Sequence, residues 1–493
     1  MSLADLADLH EKAGELHVVV VGAGAAGLVA AREITKVGMQ VTVVEASDQV
    51  GGAIRTGEVA GLELDLGAES FATRGGHVAS LIDELGFSDD VVSPNSAGAW
   101  VAGVPGVGAA PLPKGGVLGI PANPFGEDVR RVIGWRGAWR AYIDRVRPPL
   151  TIGHAHSLGV LVRSRMGQRV LDRLVAPVTS GVYSASPDDI DPDIAAPGLN
   201  TALTRTGSLS GAVAELSEKR SSAPGGAVKG LRGGMGSLAR ALAADIEDRG
   251  GDVRLGASVV EIEREAPEAD RAWCVVLDEV GDDDEQVELL ADAVIVATEE
   301  RPARALLSPV VGSALAAEPP VAGPVVSIAT LVVESPELDA APRGTGVLTV
   351  PGSHRAKALT HASAKWQWVA DAAGSGTHVV RVSFGSAGAA PVIDGLAPEA
   401  QAELAREEAS ALLGVSIGAD RVREVRVERF QQSQPAATTG HRQQTAAART
   451  AIRGVAEIGA VGAWLSGTGL AQVIPDAINE ADRVRRALLF DAH

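Results

Sequence analysis

The stretch from His17 to Glu45, HVVVVGAGAAGLVAAREITKVGMQVTVVE, decides the fold of this chain. An apolar run, Val18–Val21, leads directly into GAGAAG, and a second apolar run, Val41–Val44, ends at an acidic residue. Continuous valine runs are typical of parallel strands that are buried on both faces. The pattern therefore predicts a strand, a glycine turn, a helix and a second strand, the opening unit of a dinucleotide-binding α/β domain.

Each residue of the glycine motif has a separate physical task. Gly22 permits the tight turn, Gly24 lets a pyrophosphate approach the backbone, and Gly27 lets the helix pack closely on the strand. The helix that begins near Ala25 directs backbone N–H groups and a partial positive charge at the phosphates. Glu45 is placed to accept a hydrogen bond from a ribose hydroxyl, which favours an unphosphorylated ribose over NADP.

The composition of the 493-residue chain excludes several classes of protein. A net charge of −18 argues against binding to nucleic acid and against strong attachment to anionic lipid, since both need a basic surface. Aromatic residues make up only 3% of the chain, so the core must consist mainly of Ala, Val, Leu and Ile. The single cysteine, Cys274, cannot form an internal disulfide, which fits a reducing compartment.

Two uncharged stretches have the length of a membrane span, Val91–Pro113 and Ile458–Pro475. Prolines and glycines interrupt the first, and the second contains four glycines and ends in proline. The amino terminus has acids among its leucines and lacks the basic segment of a signal peptide. We therefore expect a cytoplasmic protein with no transmembrane segment.

A second glycine pair, Gly51 and Gly52, follows the nucleotide unit and is joined by Arg55. A nicotinamide dehydrogenase normally continues here with a further strand and helix. A glycine pair and a basic residue beside the first site are instead typical of proteins that wrap an extended FAD. The arginine is then placed to meet the pyrophosphate, or else to form a surface salt bridge, and the backbone of Gly67–Ser70 to approach the flavin ring.

Two later segments return the chain to the same site. Ala291–Thr298, ADAVIVAT, predicts a buried strand that runs into a turn. The end of the chain predicts a strand, a glycine turn at Ser466–Gly469 and a long helix. A glycine turn that opens a helix offers backbone N–H groups to an electron-rich ring edge.

The segment Arg130–Arg147 carries six arginines, and a helix here puts Trp135 and Trp139 on one face. One interpretation is an amphipathic helix that packs its aromatic face and leaves its arginines in solvent. The other is a cationic rim that holds an anionic substrate.

Together these motifs resemble one family over nearly the whole chain, the FAD-dependent protoporphyrinogen and coproporphyrinogen oxidases of haem synthesis. The nucleotide motifs are shared with amine oxidases and phytoene desaturases. GVYSASPDDID at residues 181–191 and GGMGSLARAL at residues 233–242 are more specific to this family. A composition low in lysine and rich in Ala, Gly and Val is most similar to the soluble bacterial branch that oxidises coproporphyrinogen III.

The resemblance implies an α/β fold with three parts. A Rossmann-like FAD-binding domain is expected from the discontinuous segments 1–95, 225–310 and 440–493. A mainly helical domain is expected at 96–224, and an α+β substrate-binding domain with an antiparallel sheet at 311–439.

The resemblance also implies which residues contact the cofactor, and that the FAD is noncovalent, since the carboxy-terminal glycine turn contains no His or Cys. No metal is expected. The expected FAD contacts are Gly22, Ala23, Gly24, Ala25, Ala26, Gly27, Glu45, Ala46, Ala53, Arg55, Gly67, Ala68, Glu69, Ser70, Val259, Leu470, Ala471, Gln472, Val473 and Ile474.

This chain departs from the family pattern, so the substrate propionates are expected to be bound by other cations than those usual in the family. Phe430 stands where the family commonly has Trp, and Ala437 where Tyr is common. The candidate cations for the propionates are Arg74, Arg140 and Lys365.

The implied reaction is oxidation of coproporphyrinogen III to coproporphyrin III in three two-electron steps, with oxygen as acceptor and hydrogen peroxide as product. The flavin carries this chemistry, so no catalytic side chain is expected, and His361 and His441 are expected to be structural. The alternatives are a protoporphyrinogen IX oxidase, an amine oxidase or carotenoid desaturase on the same frame, and a flavin- or porphyrin-binding carrier without turnover. Expected partners are the porphyrinogen, oxygen and, weakly, other enzymes of haem synthesis, but not nucleic acid.

Overall fold

The computed structural model describes residues 3–147, 155–221, 228–279, 286–312, 315, 323–386, 388–433, 438 and 441–490. The strands within these ranges, numbered in chain order, are β1 (His17–Val21), β2 (Gln40–Glu45), β3 (Thr56–Val59), β4 (Leu62–Asp65), β5 (Phe71–Ala72), β6 (Val91–Val92), β7 (Ala99–Val104), β8 (Gly108–Pro111), β9 (Val228–Leu231), β10 (Asp252–Leu255), β11 (Ala257–Arg264), β12 (Trp273–Glu279), β13 (Val287–Ala291), β14 (Ala293–Val296), β15 (Val325–Glu334), β16 (Gly346–Thr349), β17 (Ala358–His361), β18 (Thr377–Phe384), β19 (Val422–Gln431) and β20 (Ile458–Ala460). The α-helices are Leu3–Glu15, Ala25–Thr35, His77–Glu84, Glu127–Tyr142, Leu158–Arg165, Gln168–Val170, Ala176–Tyr183, Pro192–Ala195, Leu199–Thr206, Leu209–Ser221, Gly236–Asp248, Glu300–Val311, Ala362–Lys365, Gln367–Ala373, Pro398–Leu413, His441–Ile452, Ala463–Ser466 and Leu470–Phe490.

A five-stranded parallel sheet carries the opening unit of the chain. Its order is β10-β2-β1-β14-β20, which places β1 at the centre. Val18 pairs with Val41 on one side and with Ala293 on the other. Because β1 is covered on both faces, the whole run Val18–Val21 is buried. The predicted order of strand, turn, helix and strand is confirmed, and the helix begins at Ala25.

Apolar side chains fill both faces of this parallel sheet. On one face, helix Ala25–Thr35 packs with Gly236–Asp248 and the carboxy-terminal helix, which all contribute to one buried cluster. On the other face, the antiparallel sheet β11-β12-β13 packs with helix Glu300–Val311. Three segments far apart in the chain thus form one nucleotide-binding half, as the discontinuous pattern predicts.

A second, seven-stranded sheet has the order β19-β15-β18-β17-β16-β7-β8. All of its pairs are antiparallel except β16 with β7. Helix Pro398–Leu413 covers one face of the sheet. On the other face, Trp366, Val332 and Val379 pack with residues of the hairpin β3-β4. The hairpin therefore connects this sheet to the nucleotide-binding half.

The structure differs from the expected domain division at strands β7 and β8. Both lie in the segment 96–224, which the sequence analysis assigned to a mainly helical domain. Gly346–Thr349 pairs in parallel with Ala99–Ala102, so the two strands extend the seven-stranded sheet. Proline and glycine in this segment obscured its strand character, because a short strand at a sheet edge tolerates both residues.

Helix Glu127–Tyr142 is broken at Gly134, whose φ of 70° and ψ of 169° are not helical. Trp135 and Trp139 are 60% and 59% exposed, so the first of the two interpretations, an amphipathic helix that packs its aromatic face, is wrong, and the cationic rim stays a prediction. They surround the ring of Phe125 at centroid distances of 6.3 and 5.1 Å. The break redirects the second half of the helix, which the spacing of the two tryptophans could not reveal.

None of the helices in the described ranges is both long enough and apolar enough to cross a membrane. The longest of them, Leu470–Phe490, shows the reason, because it carries Asp476, Glu480 and Arg483 within its length.

Candidate functional site

The glycine turn Gly22–Gly27 has the geometry that close approach of a dinucleotide requires. Gly22 has a φ of 106°, where a side chain would be strained, and its N–H donates to the carbonyl oxygen of Val44 at 2.7 Å. A Cβ on Gly27 would lie 1.9 Å from the carbonyl oxygen of Gly22, so only glycine permits this packing. A Cβ on Gly24 would meet nothing within 4 Å. Gly24 therefore faces open space that a ligand can enter.

The amino terminus of helix Ala25–Thr35 borders the same space. Gly24 is its N-cap residue, and no side chain caps the helix. An uncapped first turn keeps backbone N–H groups for an anion, and the helix dipole favours negative charge there. The expected pyrophosphate contacts Ala23, Ala25 and Ala26 fit this arrangement and stay predictions.

The carboxylate of Glu45 lies beside the glycine turn. Its Oε2 accepts a hydrogen bond from the N–H of Ala23 at 2.7 Å. Its Oε1 accepts from the N–H and the hydroxyl of Ser47 at 3.0 and 2.7 Å. These bonds fix the carboxylate next to Ala46, and Oε2, which accepts only one of them, retains a lone pair for a ribose hydroxyl. The ribose contact itself stays a prediction.

The expected adenine contact lies on the adjoining strand β11. The N–H of Gly256 donates to the carbonyl oxygen of Ser47 at 2.9 Å, which joins the start of β11 to the end of β2. Val259 is half-buried on β11, where the register with β12 shifts. Strand β11 thus begins beside the end of β2, and the adenine contact of Val259 stays a prediction.

The second glycine pair packs directly against the first turn. The N–H of Gly51 donates to the carbonyl oxygen of Ala23 at 2.9 Å. The carbonyl oxygen of Ala53 accepts from the N–H of Ala68 at 2.7 Å. A Cβ on Gly67 would lie 2.0 Å from that same oxygen, so the chain passes too closely for a side chain. The structure therefore brings together three segments that the sequence predicted for one site: the Gly22–Gly27 turn, the second glycine pair and the backbone of Gly67–Ser70.

The loop Gly67–Ser70, called here the 67–70 loop, is held by two cations from the seven-stranded sheet region. The Nζ of Lys365 donates to Oε1 of Glu69 at 2.6 Å, and Nη1 of Arg381 donates to Oε2 at 3.1 Å. Arg381 also donates to the carbonyl oxygens of Leu66, at 2.9 Å, and Gly67. Burial acts to raise the pKa of Glu69, but the two cations outweigh it and hold the pKa below its ordinary value. Glu69 is therefore a carboxylate that fixes the loop.

A buried acid that the sequence analysis missed, Asp65, lies at the end of β4. Its Oδ1 accepts from the N–H of Met235 at 2.7 Å, which ties β4 to the turn before helix Gly236–Asp248. Burial raises the pKa of Asp65 to about 7, while Arg381 opposes the rise and Glu69 adds to it. The sequence signal was an acid that closes a short strand two residues before a glycine, as in LELDLG.

Buried donors without partners surround the 67–70 loop. Among the described residues, the Nε atoms of Arg55 and Arg381 and the Nε1 of Trp366 are buried and make no hydrogen bond. A gap of about 10 Å³, lined by Asp65, Trp366 and Arg381, has room for about one water molecule. Such a water can accept hydrogen bonds from the Nε1 of Trp366 and the Nε of Arg381. Arg55 does not line that gap, so its buried Nε has no such water as a partner.

The sequence allowed Arg55 either a contact with the pyrophosphate or a surface salt bridge, and its position is compatible with both. Its Nη2 donates to Oε2 of Glu428 at 2.5 Å, and its guanidinium lies 5.5 Å from the ring centre of Phe430. A Cβ on Gly67 would lie 3.3 Å from the same ring. Arg55 thus forms a half-buried salt bridge and still directs a free donor to the site. Its contact with the pyrophosphate stays a prediction.

The carboxy-terminal glycine turn opens helix Leu470–Phe490. The carbonyl oxygen of Gly469 accepts from the N–H groups of Gln472 and Val473, at 2.8 and 2.9 Å. Leu470, Ala471 and Gln472 are half-buried, whereas Val473 and Ile474 are buried in the core of the parallel sheet. The helix packs against β5, which follows the 67–70 loop directly. The flavin contacts of Leu470–Ile474 stay predictions.

The three candidate substrate cations lie in different environments. Arg74 is exposed and makes no hydrogen bond or ion pair among the described residues. Lys365 is engaged by Glu69 and lies 5.1 Å from the ring centre of Trp366. Arg140 donates to the carbonyl oxygens of Ser164 and Arg165, at 2.8 and 2.9 Å, which end helix Leu158–Arg165. The structure thus gives Arg140 a helix-capping role and leaves Arg74 the freest of the three.

Two residues singled out from the sequence fall outside this description. Ala437 and the side chain of His441 do not belong to the described residues. His361 is buried at the end of β17, and its Nε2 lies 3.1 Å from the Nδ1 of His378 on the neighbouring strand β18.

The open space at Gly24, the uncapped helix and the free donor of Arg55 fit an extended dinucleotide, and the fold defines a dinucleotide-binding α/β protein. The chain belongs to the flavin containing amine oxidoreductase family, whose model matches residues 25–489. It is therefore a flavin-dependent oxidoreductase, which confirms the enzyme class and the flavin inferred from the sequence.

Relatives in this family confirm the resemblance to porphyrinogen oxidases. Coproporphyrinogen III oxidase of Mycobacterium tuberculosis is 29% identical over 469 residues, which cover 94% of this chain and 95% of that protein. The enzyme of the same name from Mycobacterium leprae is 30% identical over 376 residues, 75% of this chain and 77% of that protein. A crystal structure from Exiguobacterium sp. 255-15, provisionally named a protoporphyrinogen oxidase, superimposes with a TM-score of 0.79 at 21% identity, covering 95% of this chain and 98% of that one. This structural likeness confirms the fold class.

Proposed function

We propose that the protein oxidises coproporphyrinogen III to coproporphyrin III with noncovalent FAD, and that oxygen is the electron acceptor. The observation that carries the proposal is the similarity to the Mycobacterium tuberculosis coproporphyrinogen III oxidase, which extends over 94% of this chain. A likeness of that extent includes the region between the nucleotide segments, where substrate specificity has to be encoded.

In this proposal each segment of the site holds one part of the FAD. The Gly22–Gly27 turn and the helix after it bind the pyrophosphate, Glu45 binds the adenosine ribose, and Val259 lies on the adenine side. Arg55 supplies its free Nε, and the 67–70 loop with Leu470–Ile474 holds the ring. The Ser466–Gly469 turn contains no His or Cys, which supports a noncovalent cofactor.

The FAD held by these residues would supply a hydride acceptor for the three two-electron oxidations of the porphyrinogen, with oxygen as the final acceptor and hydrogen peroxide as its product. The chain contributes orientation and electrostatics. Lys365 and Arg381 keep Glu69 ionised and keep the 67–70 loop in place. Glu69 is committed to these two cations and is not available as a base, so in this proposal the pyrrole proton leaves to solvent.

Substrate recognition in this proposal depends on cations that can meet propionate groups. Arg74 is exposed near the 67–70 loop in sequence and has its guanidinium free. The arginines of Arg130–Arg147 supply further positive charge, although Arg140 is engaged in capping a helix. Coproporphyrinogen III carries four propionates and protoporphyrinogen IX carries two. A rim rich in cations therefore favours coproporphyrinogen III as the substrate.

The deciding experiment is steady-state oxidation of coproporphyrinogen III and protoporphyrinogen IX side by side by the FAD-loaded protein. We expect a clear preference for coproporphyrinogen III and hydrogen peroxide as a product. A preference for protoporphyrinogen IX would mean that the proposed substrate is wrong and that the proposed flavin-dependent oxidation is retained. If neither compound bleaches the bound flavin under anaerobic conditions, a non-catalytic carrier or another amine oxidoreductase becomes the better assignment.

The remaining expectations belong to the same proposal. We place the reaction in the cytoplasm, with weak contacts to other enzymes of haem synthesis. The helical and substrate-binding domains keep their proposed roles, and strands β7 and β8 join the latter.

A further inference from the structure

A second cleft lies away from the nucleotide site. It has a volume of about 640 Å³, within the range of ligand pockets. Its walls come from the loop before β7, the loop after β15, the end of β17, the start of β18 and helix Gln367–Ala373. None of the expected flavin contacts or substrate cations lines it. The short helix Ala362–Lys365 separates it from the 67–70 loop, since Lys365 turns to Glu69 on the other side.

The described residues that line this cleft include no Lys and no Arg. Two carboxylates, Asp339 and Asp371, are the only side chains among them with a fixed charge at neutral pH. The remaining polar lining residues are amides, hydroxyls and imidazoles: Asn95, Ser96, Ser363, Gln367, Ser375, Thr377, His361 and His378. A cleft of this composition attracts a cation and repels an anion.

Asp339 begins a chain of hydrogen bonds that determines how both imidazoles are protonated. A carboxylate only accepts, so the Nε2 of His378, 3.1 Å from Oδ1 of Asp339, carries the proton. The Nδ1 of His378 is then an acceptor, 3.1 Å from Nε2 of His361 and 3.3 Å from the hydroxyl of Ser363. His361 must donate through Nε2, which leaves its buried Nδ1 as an acceptor without a partner among the described residues.

Burial keeps both imidazoles uncharged. It lowers the pKa of His361 to about 4, and it lowers the pKa of His378 although Asp339 opposes the change. The histidines therefore do not neutralise the two carboxylates near pH 7. Of their ring nitrogens, only the Nδ1 of His361 lacks a partner among the described residues, so the pair adds one unpaired acceptor to the lining of the cleft.

We propose that this cleft is a second binding site, and that its ligand is a small organic cation that carries an alkylammonium group. Asp339 and Asp371 take the charge, and the amides and hydroxyls of the wall take the remaining donors. A bare metal ion fits less well, because no group of three or more His, Cys, Asp or Glu side chains in the described residues is placed to coordinate one. The proposal does not depend on the reaction at the flavin.

The test compares three probes of equal chain length and different charge: 1,5-diaminopentane, 1,5-pentanediol and glutarate. Each is titrated by calorimetry into the FAD-loaded protein at low ionic strength. We expect one saturable site for the diamine and no saturable binding of the diol or of glutarate. Equal binding of the diol, saturable binding of glutarate, or a response to calcium chloride as strong as that to the diamine would overturn the assignment of the ligand.

Variants locate the binding. The double variant Asp339→Asn/Asp371→Asn removes both charges and keeps the side-chain shapes, and we expect it to weaken diamine binding at least about tenfold. The control Asp278→Asn removes one charge from an exposed position at the end of strand β12 and should leave the affinity within about twofold. Thermal unfolding confirms that each variant is folded, and Asp371→Asn alone replaces the double variant if that one does not fold. Unchanged affinity in the folded cleft variant would overturn the proposal, whereas failure of porphyrinogen oxidation would not affect it.

Discussion

The glycine turn Gly22–Gly27 and the 67–70 loop lie in one site, joined through Ala53, but different interactions hold them in place. The glycine turn depends on its own residues and on the adjacent strand β2. The 67–70 loop is held by Lys365 and Arg381, and their bonds to Glu69 span 296 and 312 residues. The first region is encoded locally, whereas the second exists only once the seven-stranded sheet has docked.

The largest expected effect comes from breaking the locally encoded region. Gly27→Ala places a Cβ 1.9 Å from the carbonyl oxygen of Gly22, and neither backbone can move without disturbing β1. We expect a loss of about 3 kcal/mol or more in the free energy of unfolding, at the upper end of overpacking costs. Urea unfolding measures the loss, and the flavin absorption of the purified protein should nearly disappear.

Gly24→Ala is the matched control, since its Cβ meets nothing within 4 Å and its φ of −70° suits alanine. We expect it to lose no more than about 1 kcal/mol of stability, the typical cost of alanine at an N-cap, while flavin binding weakens. Equal loss of stability in both variants would mean that the close approach at Gly27 is not what the turn depends on.

The second prediction breaks the region that depends on the fold. Arg381→Met removes a buried cation from Glu69 and from the carbonyl oxygens of Leu66 and Gly67. Breaking one side of a buried ion pair typically costs about 3 kcal/mol, because the remaining charge stays desolvated. We expect that loss in urea unfolding, together with weaker flavin retention.

Arg423→Met serves as control on the same sheet, because the Arg423–Glu334 pair is exposed and should contribute less than about 1 kcal/mol. Similar losses of stability for Arg381→Met and Arg423→Met would contradict the inference that Arg381 holds the 67–70 loop in place.

The same difference explains what could be predicted from the sequence. Residues 17–45 combine two apolar runs, three glycines and an acid at short spacing, so strand, turn and helix were all predicted correctly. The partners of Glu69 could not be predicted, because they depend on the register of β18 against its neighbours and on how the sheet docks. Asp65 was missed for a similar reason, since its burial is created by the turn around Met235, 170 residues later.

The third prediction concerns the pH dependence of folding stability and tests the role of Asp65. Burial raises its pKa to about 7 from an ordinary value of 3.8, so between these values the folded chain holds a proton that the unfolded chain has released. Folding stability therefore falls as pH rises through this window. Asp65→Asn removes the titration and keeps the acceptor for the N–H of Met235.

From about pH 5 to about pH 8, we expect the stability of Asp65→Asn to improve relative to the native chain by about 2 kcal/mol. Urea unfolding at several pH values measures the difference, and Asp278→Asn, at an exposed position, should track the native chain throughout. Parallel curves for the native chain and Asp65→Asn would show that Asp65 is ionised alike in the folded and unfolded states.

The smallest effect separates the two functions of Arg55. Arg55 and Arg426 both pair with Glu428, at 2.5 and 2.8 Å, but only Arg55 has a buried Nε without a partner among the described residues. Replacing either arginine by glutamine removes one partner of Glu428, so the two variants should lose similar stability, about 1 kcal/mol. Only Arg55→Gln also removes the donor left for the cofactor, and a hydrogen bond of about 1.4 kcal/mol corresponds to a tenfold weaker flavin affinity. Fluorescence titration of the flavin-free proteins with FAD measures this difference. Equal affinities for Arg55→Gln and Arg426→Gln would mean that Arg55 only forms a structural salt bridge and does not contact the cofactor.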